Sequence, residues 1–294
     1  MMKLLVGYTA DKGGREALAL AATLARSSGG RLIVVTVHPE GWDHPSPARV
    51  DAEYAQFLEK HAAKTLASAR AGLPEGIEAE FLSRTASLAG KGLRDAAEEF
   101  DVDGVVLGSA RTAVLGRFAE GTTATEILHS STRPVILAPR GYTAAEDARI
   151  SRITCTVTAA NDASGVIAEA RIFATAFKVP LRLASFIVRD KQMYPTGAGY
   201  DAENLVSNQL RAQAQAVQDG IRDAWKDGAA PESVLGDGPT WKAAIDSIGW
   251  LENELIVIGS SHLGPFLRVF LGSNSGKIAR FAPVPRIVIP RPAG

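Results

Sequence analysis

The chain carries a single cysteine in 294 residues, which rules out an internal disulfide framework and any cysteine-rich metal site. That residue, Cys155, sits in the alternating run Ile153-Thr154-Cys155-Thr156-Val157 and reads as a buried strand residue. Neither sign of charge is in excess: Lys plus Arg number 32, Asp plus Glu also 32, and no block of like charge occurs. Without a basic stripe the chain lacks the electrostatic footprint that DNA or RNA requires, so nucleic acid is not an expected partner. No uninterrupted apolar stretch reaches the length of about 18 residues needed to span a bilayer, and the apolar start Met1 to Val6 is broken by Gly7, Tyr8 and Asp11 before it could serve as a signal segment. No membrane association is therefore expected, and a soluble, cytoplasmic protein is. No Ser-His-Asp, Cys-His or paired-carboxylate arrangement stands out in both halves, so no catalytic residue is assigned.

What is present is a repeat. Val105-Val106-Leu107-Gly108-Ser109 runs on to Gly121-Thr122, and Ile256-Val257-Ile258-Gly259-Ser260 runs on to Gly272-Ser273, the second glycine lying thirteen positions after the first in both. An offset of 151 lays Gly104 to Arg140 over Leu255 to Arg291 without a gap, pairing Arg117 with Arg268, Pro134 with Pro285 and Arg140 with Arg291. Punctuation repeated at a fixed offset signals repeated supersecondary structure. Hydrophobic content of 46% is enough for two cores of ordinary size.

Strand and helix patterns alternate through both halves. Near-continuous apolar runs at Lys3 to Tyr8, Leu32 to Val37 and Val105 to Leu107 suit strands covered on both faces, with an alternating third strand at Ile77 to Leu82. Helical spacing marks a helix from Ala17 to Ala25, Asp51 to Ala71 and Thr122 to His129, and Pro134 to Ala138 closes the half as a fifth strand. The second half repeats the order, with a weak third strand at Pro231 to Leu235. Gly141 to Arg149 is polar with no apolar period and is placed as the linker. The expected class is α/β: two tandem, doubly wound, five-stranded parallel sheets, with domains at 1–142 and 150–294. Pro-rich or Gly-rich loops at His38 to Pro45 and Met193 to Gly197 leave the sheet edges as lid-like segments.

In an open parallel sheet, ligands bind beyond the carboxyl ends of the strands, where the strand order reverses. Gly121-Thr122 and Gly272-Ser273 place free backbone N–H groups and a hydroxyl at a helix start, a setting that favours phosphate. Glycine, serine and threonine are also ordinary turn and N-cap residues, and that plainer reading stands beside the first. Other look-alikes are set aside. Gly272 to Lys277 has one residue too few for a P-loop, and Ile278 stands where a magnesium-binding hydroxyl belongs. Gly197 to Ala202 does not directly follow a strand, and His38, Asp43 and His44 lack a ligand spacing, so no metal is expected.

The strand, the Gly-Ser turn, the loop, the Gly-Thr or Gly-Ser helix start and the closing Pro-Val-Ile-Leu-Ala-Pro-Arg resemble the universal stress protein family in a tandem form, over nearly the whole chain. The resemblance implies the nucleotide-binding fold of that family and its ATP motif, G-x-x-G, nine residues, then G-[ST]. Gly108, Gly121 and Thr122 match it in the first half, and Gly259, Gly272 and Ser273 in the second. Arg111 and His262 stand where the middle glycine belongs. The resemblance also implies an acidic residue after the first strand, for which Asp11 and Asp162 are the candidates. Arg117 and Arg268 are placed as phosphate contacts, and the base is expected near Val37 or Val188. The function implied is a non-enzymatic stress-response regulator that holds ATP or AMP in one or both halves, with no cofactor required. Its competitor is a ligand-free interaction module. ATP hydrolysis is the weaker third reading, for want of a general base. The family's antiparallel pairing of fifth strands further implies a pseudo-dimer within one chain, with a homodimer also open and the protein partner unknown.

Overall fold

The computed structural model describes residues 1–40, 50–158, 163–189, 199–226, 228–260 and 273–290. The first half runs β1 (Lys3–Gly7), α1 (Lys12–Ser28), β2 (Arg31–His38), α2 (Val50–Gly72), β3 (Ala79–Thr85), α3 (Ala89–Glu99), β4 (Gly104–Leu107), α4 (Thr122–Ser130) and β5 (Val135–Leu137). The second repeats that order as β6 (Arg152–Thr156), α5 (Ser164–Phe177), β7 (Leu181–Val188), α6 (Gly199–Asp223), β8 (Glu232–Gly238), α7 (Trp241–Asp246), β9 (Glu254–Gly259), α8 (Ser273–Phe281) and β10 (Arg286–Ile289).

The central strands are apolar on both faces because helices cover both. Leu4, Leu5, Val6, Val105 and Val106 are each fully buried, and every such side chain removed from water stabilises by about 1.5–3 kcal/mol. Helix α1 begins where the Asp11 carboxylate accepts from the Gly14 N–H at 3.0 Å, and ends at Gly29, whose φ of 61° is the left-handed turn that glycine adopts without strain.

Each half has the order third, second, first, fourth, fifth strand, all parallel, so the order reverses between β1 and β4 and between β6 and β9. β10 then pairs antiparallel with β5, Ile287 opposite Ile136, which fuses the halves into one sheet of ten strands. The core is shared accordingly. One cluster contains Leu4, Leu24 and Val106 together with Ile153, Phe173 and Leu255.

Some expectations shift at the edges. The third strand begins at Ala79 rather than Ile77 and continues to Thr85, since its register with β2 carries on to His38. Its counterpart β8 reaches Gly238 because Gly236 and Gly238 let α7 press onto the strand: a Cβ on Gly236 would lie 2.3 Å from the Ala244 carbonyl oxygen. The segment placed as a linker is docked rather than free. Gly141 N–H donates to Glu16 at 2.6 Å, Ile150 N–H to Ser27 Oγ at 2.8 Å, and Tyr142 packs on the core. Both lid-like loops lie largely outside the described residues, as does Asp162. Cys155 lies in β6, fully buried, and burial pushes its thiol up to about 12. No described helix is long and apolar enough to cross a membrane.

The second half is further braced by a buried ionic group. Glu254, with no exposed surface, accepts from Arg152 at 2.7 Å, Arg182 at 2.8 Å and Leu251 N–H at 2.9 Å, and from the Thr154 hydroxyl. Arg182 also donates to the Ile248 carbonyl at 2.8 Å, so Glu254 and Arg182 each have several partners, which a buried ion requires.

Candidate functional site

At the carboxyl edge of the first half, at the point where strand order reverses, lies an open cleft of ≈ 470 Å³. Its size falls in the roughly 300–1,000 Å³ range of small-molecule sites. One wall is the turn from β1 into α1, with Thr9, Asp11, Gly13 and Gly14. The opposite wall is the segment from Gly108 to Arg111, and the first turn of α4, Gly121 to Ala124, closes the end. Val35, Val37, Leu93 and Leu107 form an apolar floor.

The two walls approach backbone to backbone. A Cβ on Gly108 would lie 2.0 Å from the Gly13 carbonyl oxygen, one on Gly13 2.9 Å from the Ser109 oxygen, and one on Gly14 1.9 Å from the Thr9 oxygen. A side chain at Gly108 or Gly13 would push the two walls apart, and one at Gly14 would distort the β1–α1 turn itself. Gly121, the N-cap of α4, makes no side-chain cap bond, and a Cβ there would meet nothing closer than Ala110 at 3.6 Å. The first N–H groups of α4 thus open toward the cleft without an internal acceptor, and the positive end of the helix points the same way.

Asp11 is the acidic group of the cleft. Its Oδ1 is taken up by the Gly14 N–H and the Thr9 hydroxyl at 2.9 Å, while Oδ2 meets the Arg111 guanidinium at 3.3 Å. Burial pushes the carboxyl up, but the Gly14, Thr9 and Arg111 hydrogen bonds outweigh it and hold the group below its ordinary value. Arg111 is 81% exposed, so it lies at the rim and leaves the interior open.

The structure therefore gathers Asp11, Val37, Gly108, Arg111, Gly121 and Thr122 around one cleft. Arg117, placed as a phosphate contact from the sequence, is not in the lining; its guanidinium turns to the second half, where it meets the Phe281 carbonyl and Asp246. Gly13, Gly14 and Leu93 were missed, although a Gly-Gly pair two residues after Asp11, at the start of the first helix, is a visible signal of close backbone approach.

The second half differs at the same place. Where Gly108 faces backbone, a Cβ on Gly259 would meet the Val166 side chain at 2.6 Å. Ser275, which stands 151 positions after the cleft-lining Ala124, donates its hydroxyl to the Gly259 carbonyl at 3.0 Å. Ser273 opens α8, whereas His262, Arg268 and Gly272 lie outside the described residues. Helix α5 has Ala163 as its N-cap, with no side-chain cap bond, in contrast to Asp11 on α1.

The model of the universal stress protein family matches residues 1–139 and 150–290. The chain belongs to the universal stress protein family. Universal stress proteins of Mycobacterium tuberculosis and Mycobacterium bovis are each 37% identical to it over 294 residues, covering 98% of this chain and 100% of theirs. Among solved structures, a universal stress protein from Archaeoglobus fulgidus aligns with a TM-score of 0.59 at 15% identity over 97% of both chains, a likeness of fold. As a universal stress protein, the chain is of the tandem type, and its two family matches meet in the sheet through β5 and β10.

Proposed function

We propose that this universal stress protein binds an adenine nucleotide in the first-half cleft and acts as a nucleotide-responsive regulator. The observation that carries the reading is the close glycine cradle of Gly13, Gly14 and Gly108 beside the uncapped start of α4, where free backbone donors face the opening. Phosphates would rest on the N–H groups of Thr122 and Thr123 and of the Gly108 turn, and the base on the apolar floor near Val37. Asp11 Oδ2 would face ribose hydroxyls once Arg111 leaves it for phosphate. Arg111 supplies the positive charge that the lost motif glycine does not. Val166 and Ser275 favour the first half over the second as the binding half.

A ligand-free interaction module is the second reading, and the Arg111 to Asp11 contact across the cleft favours it. Denaturing the purified protein and assaying released nucleotide, followed by calorimetric titration with ATP and AMP, separates the two. Under the first reading, ATP at 100 times its dissociation constant adds about 2.7 kcal/mol of stability. Absence of released nucleotide together with an unchanged melting point at millimolar ATP would hand the case to the interaction module.

A further inference from the structure

The loop after β4 is held from the other half of the chain. Arg117 donates to the Phe281 carbonyl at the C-terminal end of α8, and its second terminal nitrogen lies 3.7 Å from Asp246 at the end of α7. A cation at a helix C-terminus is favoured by the helix dipole. The next residue, Phe118, is buried and lies under the guanidinium of Arg286, 5.4 Å from ring centroid to Cζ. Arg286 begins β10, is fully buried, and donates Nη2 to the Ala282 carbonyl at 2.7 Å, while its Nε and Nη1 have no partner. Burial pushes its guanidinium down to about 9, with the Arg117 charge adding in the same direction. A buried cation with two unpaired nitrogens costs stability, so packing alone does not account for it.

From Phe118 the path into the cleft is one residue long. Ala119 N–H donates to Ser109 Oγ at 2.9 Å, and the Ala119 carbonyl accepts from Ala110 N–H at 2.9 Å. Ser109 and Ala110 line the cleft. The device is one-sided in sequence: 151 positions from Phe118 stands Val269, and 151 before Arg286 stands Val135. An aromatic paired with a guanidinium therefore serves the first-half loop and has no sequence counterpart serving the other.

We infer that Arg117, Phe118 and Arg286 form a clamp through which the second half sets the conformation of the first-half loop, linking occupancy of the cleft to the packing between halves. The clamp stands on its own contacts; the link to occupancy rests on the nucleotide reading above. In it, Arg117 is a positioning residue that touches no part of the cleft lining.

The test uses the full chain as wild type, Arg117→Ala, Arg117→Lys and Phe118→Leu. Hydrogen exchange of residues 109–120 is followed without ligand, and ATP affinity is measured separately. Arg117→Ala and Phe118→Leu should speed exchange at Ala110 and Ala119 and weaken ATP binding, each by about 5- to 10-fold. Arg117→Lys should recover part of both, since an ammonium can still donate to the Phe281 carbonyl. Unchanged exchange in Arg117→Ala would overturn the clamp, whatever ATP does. Faster exchange with unaltered ATP affinity would overturn the link. Faster exchange in a protein whose wild type binds no ATP or AMP would remove the nucleotide reading and the link, and leave the clamp standing.

Discussion

Alanine at Gly108 is the substitution that should force the two walls of the cleft apart. Its Cβ would arrive 2.0 Å from the Gly13 oxygen, 2.4 Å from the Gly13 carbonyl carbon and 2.8 Å from the Gly13 Cα. All three are backbone atoms, so no rotamer change relieves the clash. Restoring a contact of 3.0 Å demands about 1 Å of separation between the β1–α1 turn and the β4 loop, the two walls of the cleft. Overpacking of this kind costs about 1–3 kcal/mol, or roughly 2 to 12 °C in melting temperature for a domain of this size. The control is Gly121→Ala, whose Cβ would sit in ordinary contact 3.6 Å from Ala110 and should shift stability by no more than about 0.5 kcal/mol. Scanning calorimetry of both variants, with and without ATP, reads the difference. Gly108→Ala should also lose ATP affinity by at least about tenfold, ~1.4 kcal/mol, since anion donors on the two walls no longer converge. If Gly108→Ala melts with the wild type, or Gly121→Ala proves the more damaging, the close backbone approach is not what shapes the site.

Glu254→Ala would leave Arg182 buried without its carboxylate and should destabilise the protein by about 3–5 kcal/mol, read by urea denaturation with Trp250 as the nearby fluorophore; a loss below about 1 kcal/mol would contradict the role given to this network. The Asp11 carboxyl is held below its ordinary value, burial opposing and the Gly14, Thr9 and Arg111 bonds prevailing, so its ionised form contributes stability above the unfolded pKa of about 4. That contribution disappears as pH falls through the lower folded value. The melting difference between wild type and Asp11→Asn should hence be flat from about pH 5 to 8 and shrink below about pH 4. A difference that widens in acid would reverse the assigned direction.

Much of the fold was legible because its signals are local. Buried parallel strands read as unbroken apolar runs, as at Leu4 to Val6, and the repeat at an offset of 151 made each half a check on the other. Gly108, Gly121 and Thr122 stood out because the same glycines and helix-start hydroxyl recur at one spacing in both halves. Arg117 could not be placed, because a loop arginine has a long flexible stem, and its direction is fixed by Phe281 and Asp246, well over a hundred residues away. Gly13 needed the β4 loop, and Gly14 the folding back of its own turn onto Thr9, before their lack of side chains acquired a purpose.

Composition and periodicity by themselves determined an α/β chain with two copies of one strand-and-helix unit, since strand burial and helix faces are written in residues close together. Tertiary structure alone decided that β5 and β10 join the copies into one sheet, that Asp11 meets Arg111 across an open cleft, and that Arg286 packs over Phe118 in the loop of the opposite half. Those contacts join residues roughly 100 to 170 positions apart. Their geometry depends on how two packed halves meet, and no local pattern encodes that.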